Sequence, residues 1–327
     1  MDKEILFPLR TLGKTNIQIT PIGLGMMEFS GGGKLIGSAF PVIPQEEKNA
    51  IVKAALDGGI NWFDTAELYG SGVSEASLAE ALKAAGKQNG DVVVATKWWP
   101  LFRTARNIPL TISDRMRFLD GYGIDLYMVH QPFSLSTHDR EMDAMADLVE
   151  AGKIRSVGVS NFDAKQMRLA HATLQKRGLP LAVNQVKYSL ADRHIEKDGI
   201  LETAKELGIT IIAYTSLESG LLTGKYHKNP EFLAKKFFFY RTRLQSGLEK
   251  TRSLVAALEE IGARHNVTAA QVALNWVVSF HGDTVVTIPG ATKVRQAEEA
   301  AGAMHFRLSE DELSELDEIS RKIRKPG

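Results

Sequence analysis

The chain has 327 residues, 44% of them hydrophobic and 24% charged, which suits one large α/β barrel or two ordinary domains with a sizeable core. Its formal net charge of +1 gives no overall field favouring nucleic acid or an acidic membrane, and the absence of cysteine excludes disulfides, thiolate nucleophiles and cysteine-ligated metals. The start, Met1-Asp2-Lys3-Glu4-Ile5-Leu6, lacks the apolar run of a signal or transit peptide. No stretch approaches the roughly 20 apolar residues of a membrane span, so a soluble cytoplasmic protein is expected.

Residues 5–30 carry short alternating runs punctuated by Gly13, Gly23 and Gly25, and 6–22 predicts a hairpin ahead of the first core strand. Residues 31–44, rich in Gly, Pro and Ser, read as a loop. A regular alternation follows. Helices are predicted over 45–59, 73–86, 111–122, 137–152, 164–178 and about 197–208. Strands are predicted over 60–66, 91–98, 125–130, 154–161, 181–188 and 209–214. A long connection covers about 217–247. Residues 251–280 hold two helical segments broken at Asn266-Val267-Thr268, and 284–288 is a last strand. Further helices start at Val294 and Ser309, the latter with the capping-box sequence Ser309-Glu310-Asp311-Glu312. Counted from Ile22, eight strands alternate with helices, several of them continuous apolar runs of the kind that helices cover on both faces. The count and order predict a (β/α)8 barrel rather than a doubly wound sheet, as a single domain over residues 1–327. The one long linker-like segment lies between strand seven and its helix, where a long loop serves function.

In such a barrel the C-terminal strand ends share one mouth, and chemistry resides there. Strand two ends at Asp64, with Tyr69 just beyond; strand three ends at Lys97 and strand four at His130. Strand five ends at Ser160-Asn161, strand six carries Asn184-Gln185, and strand seven ends at Tyr214-Thr215-Ser216. Strand eight leads into Pro289-Gly290-Ala291-Thr292-Lys293. Singly, Asp64 reads as a loop cap, Tyr69 as edge packing and Lys97 as a surface residue. Together they have a specific use. A phenol with an ordinary pKa of about 10 gives up its proton poorly near neutrality. A nearby ammonium lowers that pKa, and a carboxylate offsets the cost of burying the ammonium. A neutral imidazole orients a carbonyl or hydrogen-bonds the phenol. The set makes Tyr69 a general acid for a carbonyl oxygen gaining negative charge. With no cysteine and no serine in a nucleophile elbow, a hydride from a nicotinamide is the natural attacking group.

These segments resemble the aldo-keto reductases over essentially the whole chain. Asp64-Thr65-Ala66-Glu67-Leu68-Tyr69-Gly70 is similar to that family's first signature. Gly152-Lys153-Ile154-Arg155-Ser156-Val157-Gly158-Val159-Ser160-Asn161-Phe162 resembles the second, and Ile288-Pro289-Gly290-Ala291-Thr292-Lys293 the third. The resemblance implies an aldehyde or ketone reductase with the tetrad Asp64, Tyr69, Lys97 and His130. It implies that Ser160, Asn161 and Gln185 hold a nicotinamide carboxamide and that Tyr214 stacks on the ring. It places Gly25, Met26 and Asp64, and then Thr215, Ser216, Leu217, Ser219, Gly220, Leu222 and Lys225 after strand seven, along the cofactor. The region 217–247 would fold over the cofactor as a belt, or its Lys235-Lys236-Phe237-Phe238-Phe239-Tyr240-Arg241 run is an ordinary packed loop.

At the adenosine end the resemblance implies contacts from Gly290, Thr292, Lys293, Arg295, Gln296 and Glu299, and NADPH ahead of NADH. Gln296 stands where a basic residue is frequent in that family and Ala300 where an asparagine is, a departure at the adenosine end. Strand alternation aims Trp99 the same way as Lys97. Met26, Met27, Leu68, Trp99, Phe102 and Gln131 are candidate pocket residues for an apolar carbonyl substrate, with one of Trp98 and Trp99 filling core space.

Two other readings stand beside this one: a Schiff-base lyase using Lys97, and a cofactor-binding regulatory subunit resembling the potassium-channel β subunits. A monomer or weak homo-oligomer is expected. Other motifs fail on their own terms. Gly220-Leu221-Leu222-Thr223-Gly224-Lys225 is one residue short of a phosphate loop, and Gly70-Ser71-Gly72-Val73-Ser74-Glu75 lacks the third glycine of a dinucleotide fingerprint. Gly31-Gly32-Gly33-Lys34 reads as a flexible loop. No metal-ligand spacing and no basic stripe for nucleic acid are present.

Overall fold

A computed structural model describes residues 6–32, 41–233 and 238–323. The expectations for Gly33, Lys34, Lys235, Lys236 and Phe237 lie outside the described residues, as do those for most of the 31–44 loop. Two short strands, β1 (Arg10–Thr11) and β2 (Gln18–Ile19), pair antiparallel as the hairpin. Eight parallel strands follow in chain order: β3 (Leu24–Gly25), β4 (Trp62–Asp64), β5 (Val93–Trp98), β6 (Ile124–Val129), β7 (Ile154–Ser160), β8 (Leu181–Lys187), β9 (Thr210–Tyr214) and β10 (Val285–Thr287). The first and last meet at parallel bridges Ile22–Thr287 and Gly25–Gly290. The arrangement is a (β/α)8 barrel.

The helices are α1 (Gln45–Asp57), α2 (Val73–Ala84), α3 (Asn107–Phe118), α4 (His138–Glu150), α5 (Ala164–Gln175) and α6 (Ile200–Leu207), then α7 (Lys225–Lys228), α8 (Phe238–His265), α9 (Ala269–Ser279), α10 (Val294–Gly302) and α11 (Glu310–Arg321). Helix α3 begins earlier than its apolar pattern suggests, because Pro109 falls in its first turn, where a missing N–H costs nothing. Helix α11 starts with the capping box, Ser309 accepting from the Glu312 N–H and the Glu312 carboxylate accepting from Ser309 N.

Two apolar layers result. Inside the barrel, Trp62, Ala95, Leu126, Met128, Val183, Ile212 and Val286 pack with Leu12, Ile17 and Ile19 of the hairpin, which plugs the N-terminal end. The strands' other faces pack against the helix ring. Both faces are therefore dry, which is why the strand segments read as unbroken apolar runs.

The long connection expected over 217–247 is corrected. Short 3-10 turns at Glu218–Thr223 and Pro230–Leu233 flank α7, and α8 is already helical from Phe238. Gly247 and a polar run hide this helix in the sequence. The apolar side chains Leu244 and Leu248 pack with Leu221, Tyr226 and Leu233 in a satellite cluster away from the main core. Gly247 serves that contact: a β-carbon there would stand 2.7 Å from the Leu221 side chain.

Candidate active site

Asp64 and Lys97 come together through strand register. Asp64 of β4 pairs with Ala95 of β5, so Lys97, two residues on, shares the interior side one step nearer the mouth. Its ammonium turns back to donate to Asp64 Oδ1 at 2.5 Å and to the Thr65 carbonyl at 2.9 Å. From β8, Gln185 Nε2 donates to Asp64 Oδ2 at 2.9 Å. Asp64 and Lys97 are 1% and 0% exposed, so three side chains satisfy each other without water.

Beyond Asp64 the chain stays hydrogen-bonded to β5, through Thr65 N to the Ala95 carbonyl and Glu67 N to the Lys97 carbonyl. It then turns, Tyr69 N donating to the Ala66 carbonyl, which brings the Tyr69 ring back over the mouth. The ring centroid lies 5.1 Å from Lys97 Nζ. His130, just past β6, meets Tyr69 edge-on at 5.8 Å and Trp99 edge-on at 5.3 Å, and Phe133 closes the row against Trp99 at 5.5 Å. His130 Nδ1 is buried with no hydrogen-bond partner.

Burial governs the charges. It pushes the Asp64 carboxyl up and the Lys97 ammonium down, and their mutual attraction only offsets this. The expectation that the ammonium lowers the Tyr69 pKa is overturned for the resting protein. Burial, then the charges of Asp64, Glu28 and Tyr214, hold the phenol well above 10. Lys97 lies beside the ring with its ammonium held by Asp64, and burial decides the direction. Burial and then the Lys97 charge drive His130 well below its ordinary range, so its imidazole is neutral near pH 7.

A polar rim adjoins this cluster. Asn161 takes φ of +62° at the end of β7, a left-handed turn that suits asparagine and aims its amide across the mouth. Its Nδ2 donates to Ser160 Oγ at 3.0 Å and to the His130 carbonyl at 3.3 Å, while its Oδ1 accepts from Tyr214 OH at 2.8 Å. Ser160 Oγ donates to the Gln185 carbonyl at 2.9 Å. Asn184 points to the opposite face and donates to the Phe162 carbonyl.

Farther along the same side, a cavity of about 620 Å³ opens between the segment after β9, the α8–α9 junction and the start of α10. Lys225, Lys228, Lys293 and Arg295 line it. Three of these cations are held: Lys228 by Glu259 at 2.9 Å, Lys293 by Glu47 at 2.7 Å and Arg295 by Glu299 at 3.0 Å. Burial lowers the Lys225 pKa.

Residues 21–321 match the model of the aldo/keto reductase family. The chain belongs to that family. It is 33% identical over 329 residues to aldo-keto reductase str7 of Strobilurus tenacellus, a match covering 98% of this chain and 94% of that one. It is 30% identical over 324 residues to aldo-keto reductase yakc (NADP(+)) of Schizosaccharomyces pombe, covering 95% and 91%. Among solved structures, the glycerol dehydrogenase AKR11B4 of Gluconobacter oxydans is similar with a TM-score of 0.78 at 27% identity, with 97% of each chain covered.

In this aldo/keto reductase family member, Asp64, Tyr69, Lys97, His130, Ser160, Asn161, Gln185 and Tyr214 form one connected set. The other residues named from the sequence lie outside that connected set. Ser216 is buried in the barrel wall, its hydroxyl bonded to Thr287 and to the Ala213 carbonyl. Met26 and Leu222 are fully buried core residues. Leu217 packs on the core, Ser219 and Gly220 form a left-handed turn, and Thr215 also has positive φ. Gly25 pairs with Asp64 and lets β3 lie 2.9 Å, measured from its virtual β-carbon, from the Ile288 carbonyl. Gln296 caps α10, accepting from Thr292 N and Oγ1.

On the substrate side, Trp98 fills the core and Trp99 is half-buried beside His130. Met27, Leu68 and Gln131 are partly exposed, whereas Phe102 is 83% exposed and stands out from the surface.

The sequence reading missed Phe133, Lys228, Glu259, Glu28 and Glu67. Glu67 lies inside the Asp64–Tyr69 tip, and its carboxylate takes the Trp99 N–H at 3.0 Å and the Arg103 guanidinium at 2.7 Å. It thereby ties the Tyr69 turn to the Trp99 loop. Glu67→Ala leaves the Trp99 amide unpaired and Arg103 with only its 3.3 Å bond to the Trp99 carbonyl, so a stability loss of about 1–3 kcal/mol is expected from urea unfolding. An unchanged midpoint would show that the clamp contributes nothing.

Proposed function

We propose that this protein is an NADPH-dependent aldehyde or ketone reductase in which Tyr69 donates the proton. The observation that carries this reading is the continuity of two groups of residues: Gln185 joins the buried Asp64–Lys97 pair to the Ser160–Asn161–Tyr214 rim through a 2.9 Å bond. The rim fits a nicotinamide amide, because Asn161, Ser160 and Gln185 offer both donors and acceptors at adjoining positions. The cation-lined cavity suits the 2′-phosphate of an adenosine end, and a relative at 30% identity carries NADP(+) in its name. When bound, the reduced nicotinamide supplies hydride to the carbonyl carbon.

The chain's own part is the proton. Tyr69 starts fully protonated, as an acid must, and the developing charge on the carbonyl oxygen draws that proton across. Lys97 steadies the phenolate left behind, and Asp64 and Gln185 keep the ammonium in place. His130 is neutral, so its imidazole can hydrogen-bond the carbonyl oxygen without competing for the proton. The row Trp99, His130 and Phe133 gives the carbonyl's substituents an apolar wall. Lys97 has no exposure and two fixed acceptors, which favours charge stabilisation over Schiff-base chemistry.

Titration with NADPH and NADH, followed by quenching of tryptophan fluorescence, should give tighter binding of NADPH. A panel of aldehydes and ketones should then consume the bound reductant. Absence of dinucleotide binding would end this reading. Binding without turnover on any simple carbonyl would favour a regulatory subunit.

A further inference from the structure

Glu28 is a half-buried acid that the mechanism above does not use. It sits in the 3-10 turn Met27–Ser30 that follows β3. Its carboxylate lies directly on Gly290 of the β10 loop: a β-carbon at Gly290 would stand 2.3 Å from Oε2 and 2.4 Å from Oε1. Glycine is therefore what lets this side chain occupy the seam between the first and last barrel strands. Oε2 is buried and has no hydrogen-bond partner. Among the described residues, no cation is paired with Glu28.

The groups on the surrounding elements are otherwise engaged. Lys48 on α1 donates to the Phe29 carbonyl and Ser77 Oγ, Glu47 holds Lys293, and Glu75 on α2 binds Thr96 and Arg115. Asp64 is held by Lys97 and Gln185. Tyr69 and Tyr214 contribute phenols, and the Glu28 charge reaches Tyr69 strongly enough to raise its pKa. The Glu28 backbone N–H is the donor that favours its ionised form, and burial outweighs it and pushes the Glu28 pKa up.

Its position gives this shift a use. Glu28 acts on Tyr69 at one end, and at the other it rests on Gly290, three residues before the Lys293 that lines the cationic cavity. The seam that Glu28 occupies thus adjoins both Tyr69 and the loop that leads to the cavity, where a dinucleotide spanning the two would place its diphosphate. We propose that Glu28 is a proton-coupled ligand of the dinucleotide: it takes one proton from solvent as the cofactor binds, and its carboxyl O–H then donates to a phosphate oxygen. An ionised Glu28 would instead repel the diphosphate. This rests on the dinucleotide reading of the site.

The sign follows from linkage. A group that binds a proton more tightly in the complex makes affinity greatest below its free pKa and weaker as pH rises, by up to about tenfold per pH unit while one proton is taken up. NADPH and NADH affinities are measured by tryptophan quenching from about pH 6 to about pH 9, for the unaltered protein and Glu28→Gln. Proton uptake is measured by calorimetry in two buffers of different ionisation enthalpy. The unaltered protein is expected to lose affinity for both dinucleotides with rising pH and to take up a proton. NADH lacks the 2′-phosphate, so its profile excludes titration of that group. Glu28→Gln should bind as the unaltered protein does at low pH, with a flat NADH profile and no uptake; Glu28→Ala, which only opens space over Gly290, should also be flat. If Glu28→Gln keeps the same pH profile, or weakens binding at every pH as loss of a carboxylate acceptor for ribose hydroxyls would, the inference is overturned while the dinucleotide reading stands. If neither protein binds a dinucleotide, both fall.

Discussion

Tyr69→Phe is expected to lower carbonyl turnover by about 10²- to 10⁴-fold, the range that a positioned general acid contributes. The substitution removes one oxygen and keeps the ring, so the contacts with Lys97 at 5.1 Å and His130 at 5.8 Å persist. The Ser160–Asn161–Gln185–Tyr214 rim does not include Tyr69, and dinucleotide affinity should stay within about twofold, since no charge-assisted bond to it is removed. The pH dependence supplies a second check. Burial holds the phenol well above 10, so the donor form is lost only as pH rises through that high value, and Tyr69 should add no ionisation to the turnover profile between about pH 6 and pH 9. Steady-state rates with a fixed aldehyde, beside fluorescence titration of the cofactor, separate the two effects. Retention of more than about a tenth of the turnover would remove Tyr69 as the proton donor.

The barrel was legible because its physics is repetitive. The barrel strands are largely dry on both faces and most of the helices carry an apolar stripe, so the alternation from residue 45 onward carries the topology. The convergence of Asp64, Lys97 and His130 was legible for the same reason: once strand ends are located, all three must face one mouth. Less legible was anything decided by contacts between distant segments. Helix α8 extends to Phe238 because Leu244 and Leu248 find partners in Leu221 and Tyr226, a satellite cluster with no periodic signal of its own. Glu28 and Gly290 are 262 positions apart in the numbering, and neither is conspicuous until the barrel closes between them. The direction of the Tyr69 shift was misjudged because a sequence displays charges but not burial. Lys97 is near the phenol, yet Asp64 itself raises the phenol's pKa, and desolvation decides the outcome.

The Asp64–Lys97 pair carries the second large effect. Asp64→Ala leaves an ammonium with no exposure and only the Thr65 carbonyl as acceptor, and breaking such a pair costs about 3–5 kcal/mol. The cost should depend on pH with a definite sign. Burial already lowers the Lys97 pKa, and without Asp64 nothing opposes that fall. The folded form then releases the lysine proton while the unfolded chain still holds it, so the stability of Asp64→Ala rises with pH from neutrality towards the lysine's ordinary value of about 10.4. Lys97→Met leaves Asp64 with the Gln185 donor and a carboxyl that burial has already pushed towards its neutral form. Asp64→Ala/Lys97→Met removes both charges, and it should recover much of what Asp64→Ala loses, because the penalty comes from an unpaired charge rather than from a missing attraction. Urea unfolding of the three variants at about pH 7 and about pH 9 measures this directly. All three should lose turnover, since none retains both the ammonium and its anchor beside Tyr69. If Asp64→Ala costs less than about 1 kcal/mol and is no more stable at the higher pH, then Lys97 is not held as a buried charge, and its role in steadying the Tyr69 phenolate falls with that result.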